Sequence, residues 1–132
     1  MSEDARYYAD YSGSYTDRSL VDKEYVDELQ YITENSQSGT SYTLVLTDDG
    51  KVVTCTNGSA ITVTVPPNSS VAFPTGTMII IEQWGAGTVT IAEGAAVTIN
   101  SIGGALAFTG QYATAVLRKD AADVWILSGA IE

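Results

Sequence analysis

From Tyr42 to the C-terminus, short apolar or alternating runs are separated by turn residues, and this pattern constrains the fold most strongly. In residues 60–65, Ile61, Val63 and Val65 alternate with threonines, as expected for a strand with one buried face. Comparable runs predict strands near residues 42–47, 51–56, 60–65, 77–84, 88–92, 95–100, 105–109, 111–118 and 123–128. Residues 42–132 are therefore predicted to form an antiparallel β-sandwich or barrel-like domain in a mainly β protein.

A different period precedes this region, over residues 19–35. The apolar residues there recur at helical spacing and form one stripe of four: Val21, Tyr25, Leu29 and Ile32. Asp17 or Ser19 can cap the N-terminus, so residues 17–35 are predicted to be an oligomerising helix, with a linker over residues 36–41. Because the stripe is shorter than a stable coiled coil needs, the β-domains are expected to contribute to the association. A homotrimer is predicted, with a dimer as the alternative.

The first 16 residues are rich in tyrosine and lack any aliphatic periodicity. Tyrosine supplies large amphipathic contact area and is enriched at protein interfaces. Residues 1–16 are therefore predicted to be an arm that docks on another protein through four tyrosines: Tyr7, Tyr8, Tyr11 and Tyr15. A disordered leader, or an arm that folds back on its own domain, is the alternative.

Charge and hydropathy narrow the classes of partner. Sixteen acidic and six basic residues, with no histidine, give a net charge of −10. This balance argues against nucleic acid and against an anionic membrane surface, since both need clustered lysine and arginine. No apolar run is close to the length of about 18 residues that a membrane-spanning helix needs. The N-terminus begins with acidic residues, whereas a secretion signal would begin with basic ones, so a cytoplasmic protein is expected.

The residue inventory also restricts catalysis. Without histidine, triads of the Ser-His-Asp and Cys-His types are excluded, and Cys55 alone is expected to be a buried, inert thiol. A pair of carboxylates could cleave a glycosidic bond, and four side chains of the β-region are candidates: Glu82, Glu93, Asp120 and Asp123. Glu93 lies in a predicted turn and Asp120 and Asp123 in a predicted polar loop, where solvated carboxylates need no catalytic role. The sequence therefore predicts a protein that is not an enzyme, with no cofactor and no metal. The segment Asp48-Asp49-Gly50 is predicted to be a hairpin turn rather than a calcium loop.

One pair of residues suggests a binding surface. Glu82 and Trp84 share a face of the predicted strand 77–84. A carboxylate beside an indole can hold a sugar ring by hydrogen bonding and stacking, so this pair is a candidate glycan contact. The alternatives are a tryptophan packed at a subunit interface or one that closes an end of the domain.

Two stretches of the chain resemble a family of bacteriophage fibre and appendage proteins. Residues 15–27 (YTDRSLVDKEYVD) resemble a segment that precedes C-terminal modules in phage tail-fibre and other virion proteins. The second stretch is similar to the associated β-module in four runs: residues 61–77, 81–91, 104–112 and 123–129. The resemblance implies a virion structural role, commonly as a homotrimer, without a cofactor.

These observations predict a short phage virion appendage, tail-fibre-like or head-fibre-like, in which the arm anchors the subunit to a capsid, neck or tail protein. The β-domain would project from the particle. The main alternative is a tail-fibre module that binds a host receptor or host surface glycan, and the third is a carbohydrate-cleaving enzyme.

Overall fold

The computed structural model describes residues 32–132, and these residues are mainly β, as predicted from the sequence. Nine strands follow one another along the chain: β1 (Glu34–Gln37), β2 (Ser41–Thr43), β3 (Val52–Cys55), β4 (Ile61–Val65), β5 (Met78–Gln83), β6 (Val89–Glu93), β7 (Thr98–Ser101), β8 (Thr114–Ala121) and β9 (Val124–Gly129). Two short 3-10 turns, Leu46–Asp48 and Ile102–Gly104, lie between strands. No helix in this part of the chain is long and apolar enough to cross a membrane.

The first six strands alternate between two sheets. Strands β1, β3 and β5 pair in parallel in one sheet, and β2, β4 and β6 pair in parallel in the other. The chain therefore makes three successive coils, each of which gives one strand to each sheet. The larger sheet is completed by β8 and β9, which form an antiparallel pair beside β5, and by β7, which pairs in parallel with β9. Its strand order is β1-β3-β5-β8-β9-β7.

The prediction of antiparallel sheets is therefore wrong for most of the strand pairs. The hairpin predicted at Asp48-Asp49-Gly50 is wrong, because this segment carries the chain from one sheet to the other, and the turn residues of Asn57-Gly58 and Gly85-Ala86-Gly87 do the same. Period-two alternation reports which face of a strand is buried and says nothing about the direction of its neighbour. Only the β8–β9 connection is a hairpin between adjacent strands of the described residues.

The start of the β-region also differs from the prediction. Glu34–Gln37 forms β1, so the predicted helix is wrong at Glu34 and Asn35, and the predicted linker contributes residues to β1 and β2. Residues 32 and 33 are not helical either, and the remaining part of the predicted helix, residues 17–31, lies outside the described residues, as do the docking tyrosines and three of the four stripe residues. The fourth, Ile32, is largely exposed.

Both sheets contribute to one hydrophobic core. The alternation predicted for residues 60–65 is confirmed, because Ile61, Val63 and Val65 are buried while Thr62 is exposed. Trp125 on β9 is the largest fully buried side chain, and Phe73 packs edge-on against it with ring centroids 5.5 Å apart. Burial of aliphatic and aromatic side chains of this size contributes about 1.5–3 kcal/mol each, so the core is the main source of stability.

The interior of the first coil is polar instead of apolar. Asp48 is only 1% exposed and accepts hydrogen bonds from Asn35 Nδ2 at 2.8 Å, Tyr42 Oη at 2.6 Å and the Val45 N–H at 2.9 Å. Gln37 donates in turn to Asn35 Oδ1 at 2.8 Å. We call Asn35, Gln37, Tyr42 and Asp48 the polar cluster. It ends the apolar core on the β1–β2 side, as the terminal repeat of a stacked structure must.

The polar cluster makes folding sensitive to alkaline pH. Desolvation, followed by the hydrogen bond and the charge of Asp48, raises the pKa of Tyr42 to about 12 from its usual 10. Because the folded pKa is the higher one, the stabilising contribution of Tyr42 is complete below about pH 10 and is lost as the pH rises towards about 12. When tyrosinate absorbance is titrated, wild type should therefore show one tyrosine that ionises late and that Tyr42→Phe lacks. Circular dichroism checks that both proteins are folded over the pH range compared. A difference curve centred near pH 10 would contradict this prediction.

Candidate functional site

The residues predicted to contact a glycan lie at the end of β5. Ile79, Ile81 and Gln83 point into the core, so the alternate residues of the strand face outwards, and Glu82 is half-buried on that side. Trp84 follows the strand, and its side chain is 52% exposed. The indole Nε1 donates a hydrogen bond to Glu82 Oε1 at 2.9 Å. The structure thus brings the two predicted residues into direct contact and fixes the orientation of the indole.

A second aromatic residue, Tyr112, completes this surface and was not singled out in the sequence. Its ring stands edge-on to Trp84, with centroids 5.6 Å apart and an interplanar angle of 85°. The turn before β8 holds it there, since the Tyr112 N–H donates to the Gln83 carbonyl at 2.6 Å and Gln111 Nε2 donates to the Trp84 carbonyl at 3.1 Å. Tyr112 has a φ of 71°, a left-handed conformation that is uncommon outside glycine and recurs at ligand sites.

Glu82, Trp84, Tyr112 and Thr114 line a shallow groove of about 180 Å³. Glu82 and Thr114 are direct neighbours on the antiparallel strands β5 and β8, so a carboxylate and a hydroxyl stand side by side on its floor. The two aromatic rings supply an apolar flank. We call these four residues the aromatic groove. Its chemistry combines hydrogen-bonding groups with a stacking surface, as sugar-binding sites do.

The other carboxylates considered from the sequence have local structural partners. Glu93 Oε2 accepts the Ile99 N–H at 2.7 Å and bridges the turn between β6 and β7. Asp123 Oδ1 accepts the Asn68 N–H at 2.6 Å. Asp120 forms an exposed ion pair with Arg118 at 3.7 Å, which contributes little to stability. Each carboxylate therefore has a role that needs no catalysis, and the absence of enzymatic activity stays a prediction.

The single cysteine is fully buried on β3. Desolvation raises the pKa of the Cys55 thiol to about 11, so the nucleophilic thiolate is scarce at neutral pH. Within residues 32–132, no group of three or more histidine, cysteine, aspartate or glutamate residues is placed to hold a metal ion.

Comparison with known proteins identifies no relative of this chain: no protein-family model, no curated protein and no solved structure matches it.

Proposed function

We propose that this chain is a bacteriophage virion structural protein, a short oligomeric fibre or decoration appendage. Its N-terminal arm anchors the subunit to the particle, and its C-terminal β-domain is displayed outwards. The observation that carries the proposal is the joint presence of the segment at residues 15–27 and the β-module runs between residues 61 and 129. No cofactor, nucleic acid or membrane insertion has a part in this function, which consists of assembly and display on the virion.

The structural positions of the module runs support this proposal. Residues 61–77 comprise β4 and the loop that leads to β5, and residues 81–91 carry the chain from β5 across to β6. The run at residues 123–129 is β9 with the buried Trp125. These three runs thus coincide with segments that build the core and stack the coils, whereas the run at residues 104–112 forms only isolated bridges before β8.

The proposed quaternary structure is a homotrimer in which the two sheets of each subunit form a sandwich-like module. Val21, Tyr25 and Leu29 of the stripe would join the subunits in a helical bundle, and the exposed, non-helical Ile32 would add to the same contact. The outer face of the larger sheet also offers apolar side chains on paired strands, with Ile80 opposite Val116 in the register. Exposed Met78 lies on the same face. Burial of this face between copies would supplement the short helical stripe.

Deleting residues 2–16 tests the proposed anchor. The deletion removes no described strand and no residue of the stripe, so light scattering should give the mass of three truncated subunits, the same oligomeric state as wild type. Mass spectrometry of purified particles should find the truncated subunit missing, because docking tyrosines act as anchors in pockets of the partner. The triple change of Tyr7, Tyr8 and Tyr11 to alanine should reduce occupancy less completely. Changing Ser12 and Ser14 to alanine is the matched control, and wild-type occupancy of the truncated subunit would mean that the anchor lies elsewhere.

The aromatic groove favours a second candidate function, the binding of a host surface glycan by a receptor-binding module. The exposed Trp84 and Tyr112 rings stand beside a carboxylate and a hydroxyl, and the left-handed Tyr112 holds its ring at the surface. Such an arrangement suits a sugar ring better than it suits an apolar partner.

A panel of purified bacterial surface polysaccharides tests this second function. Trp125 is buried, so a change in tryptophan fluorescence on binding would report on Trp84. Calorimetry measures the variants, because Trp84→Ala lacks the fluorescent reporter. Trp84→Ala and Tyr112→Ala should each weaken binding about tenfold or more, since an aromatic anchor contributes about 1–3 kcal/mol. Ile102→Ala, at an exposed residue of a separate surface depression, should bind like wild type. Unchanged binding by Trp84→Ala would contradict the site, and released oligosaccharide would instead indicate an enzyme.

A further inference from the structure

The most unusual charged residue of the described chain is a lysine in the core. Lys119 lies on β8, where Ala115, Leu117 and Lys119 point inwards, and it is only 2% exposed. Its neighbour across the sheet is Trp125, and Nζ lies 6.0 Å from the centroid of that ring. Lysines are almost never fully buried unless they are paired with an acid. Within residues 32–132, no carboxylate oxygen lies within 4.0 Å of this amine.

The amine is held against a side-chain amide instead. Lys119 Nζ donates to Asn68 Oδ1 at 2.6 Å and to the carbonyl oxygen of Phe73 at 2.6 Å, both slightly shorter than the usual N–H···O range of about 2.7–3.2 Å. Asn68 and Lys119 are 51 positions apart in the sequence. A buried primary amine and a carboxamide in contact are the two reactants of an amide-exchange reaction.

Both reactants are fixed from more than one side. The Asn68 N–H donates to Asp123 Oδ1 at 2.6 Å, which holds the backbone of the asparagine. The backbone of Lys119 is bound on both of its polar groups, since its N–H donates to Thr77 O and its carbonyl accepts from the Gly76 N–H, each at 2.9 Å. Such restraint converts a bimolecular reaction into an intramolecular one and raises the effective concentration of the reactants greatly.

We propose that Lys119 and Asn68 become joined by an isopeptide bond that forms spontaneously in the folded chain. The lone pair of the neutral Nζ forms a bond to Cγ of Asn68, and the bond between Cγ and Nδ2 breaks. One proton passes from Nζ to Nδ2, which leaves as ammonia, so the products are a secondary amide and NH₃. An ammonium form first releases one proton to solvent. The exchange needs no oxidant, reductant or cofactor.

The surroundings favour the product over the reverse reaction. Phe73 and Trp125 pack against each other beside the pair and shield it from water. Once ammonia has escaped, water therefore has little access to hydrolyse the new amide. The Phe73 carbonyl remains an acceptor for the N–H of the new amide. Asp123 is a positioning residue, since it binds the backbone of Asn68.

The bond would link the loop between β4 and β5 to β8, and thus close a covalent ring of residues 68–119 that includes β5, β6, β7 and most of β8. Pulling on either end of the chain would then leave the segment between Asn68 and Lys119 unstretched. This property would suit a protein displayed outside a particle, but the proposal rests on the contact geometry and is independent of the function proposed above.

Mass spectrometry of the full-length chain under denaturing conditions tests the proposal. The intact mass should be lower than that of the sequence by one molecule of ammonia. Trypsin does not cleave after an acylated lysine, so the digest should contain a branched species in which residues 52–118 are attached to residues 119–132. Lys119→Met and Asn68→Ala should each restore the mass of their own sequence. Asp123→Asn should slow formation of the branched species without removing either reactant.

Loss of ammonia has a second source that must be distinguished. Succinimide formation at Asn57-Gly58 or Asn68-Ser69 would lower the mass equally but would leave residues 52–118 and 120–132 as separate peptides. A mass deficit that persists in Lys119→Met would overturn the proposal, and so would an unmodified wild-type mass. The branched peptide is sought in wild type, so the result stands even where a variant folds poorly.

Discussion

Replacing Gly87 with alanine is expected to lower the free energy of unfolding by at least about 3 kcal/mol. Gly87 lies in the crossing from β5 to β6, and its N–H donates to the Asn57 carbonyl of the preceding coil at 3.1 Å. A Cβ at Gly87 would overlap the carbonyl of Ser59 and would lie 2.8 Å from the carbonyl oxygen of Asn57. These are backbone atoms, which cannot rotate away as a side chain does, so the two coils would have to separate.

Gly58 provides the matched control within the same contact. It lies between Asn57 and Ser59, but nothing approaches the position of its Cβ within 4 Å and its φ is not in the left-handed region. Gly58→Ala should therefore stay within about 0.5 kcal/mol of wild type. Urea unfolding followed by circular dichroism measures both variants. Equal stability of Gly87→Ala and Gly58→Ala would mean that the coils do not stack at this point.

The same glycine shows how much of the fold could be predicted from the sequence. The strand positions follow from local alternation, and β4 was placed at residues 60–65 against an observed Ile61–Val65. The direction of pairing does not follow, because it depends on where the chain goes after each turn. Gly85-Ala86-Gly87 reads as a hairpin signal, but its glycines are needed because the backbone of the preceding coil approaches so closely. A close approach between distant segments leaves no mark on local periodicity.

The first strand was missed for a related reason. Its sequence, Glu34-Asn35-Ser36-Gln37, contains no apolar residue, so a search for apolar alternation cannot detect it. Its inward-facing residues are polar because they belong to the polar cluster rather than to the core. Parallel pairing with β3 holds the segment in the sheet through the backbone. The predicted strand at residues 105–109 shows the opposite error: it has apolar residues but forms only isolated bridges at Ala107 and Phe108.

The candidate site was predictable in part. Glu82 and Trp84 are two residues apart, so strand geometry alone places them on one face. Tyr112 is far from them in sequence, and its contribution depends on the antiparallel pairing of β5 with β8. It also depends on a left-handed turn conformation that no propensity assigns to tyrosine. Contacts between residues of one strand can thus be predicted from the sequence, whereas contacts between residues of two strands can be predicted only when the strand pairing is known.

The polar cluster gives the second large expected effect. Asp48→Ala removes the acceptor of three hydrogen bonds, from Asn35, Tyr42 and the Val45 N–H. A buried donor without an acceptor costs about 1–3 kcal/mol, and Asn35 retains a bond to Tyr42 Oη at 2.9 Å. We therefore expect the free energy of unfolding to fall by about 3 kcal/mol in total. Asp49→Ala, at the exposed neighbouring position, should change it by less than about 0.5 kcal/mol.

Asp48→Asn separates the charge of this residue from its shape. The amide keeps an oxygen that can accept from the Val45 N–H, but it removes the negative charge that helps to keep Tyr42 protonated. The pKa of Tyr42 should therefore fall towards 10, although desolvation still holds it above that value. Urea unfolding at neutral pH and tyrosinate titration measure the two effects independently. Equal stability of Asp48→Ala and Asp49→Ala would contradict the role of the polar cluster, and an unchanged Tyr42 titration in Asp48→Asn would mean that burial alone raises the pKa.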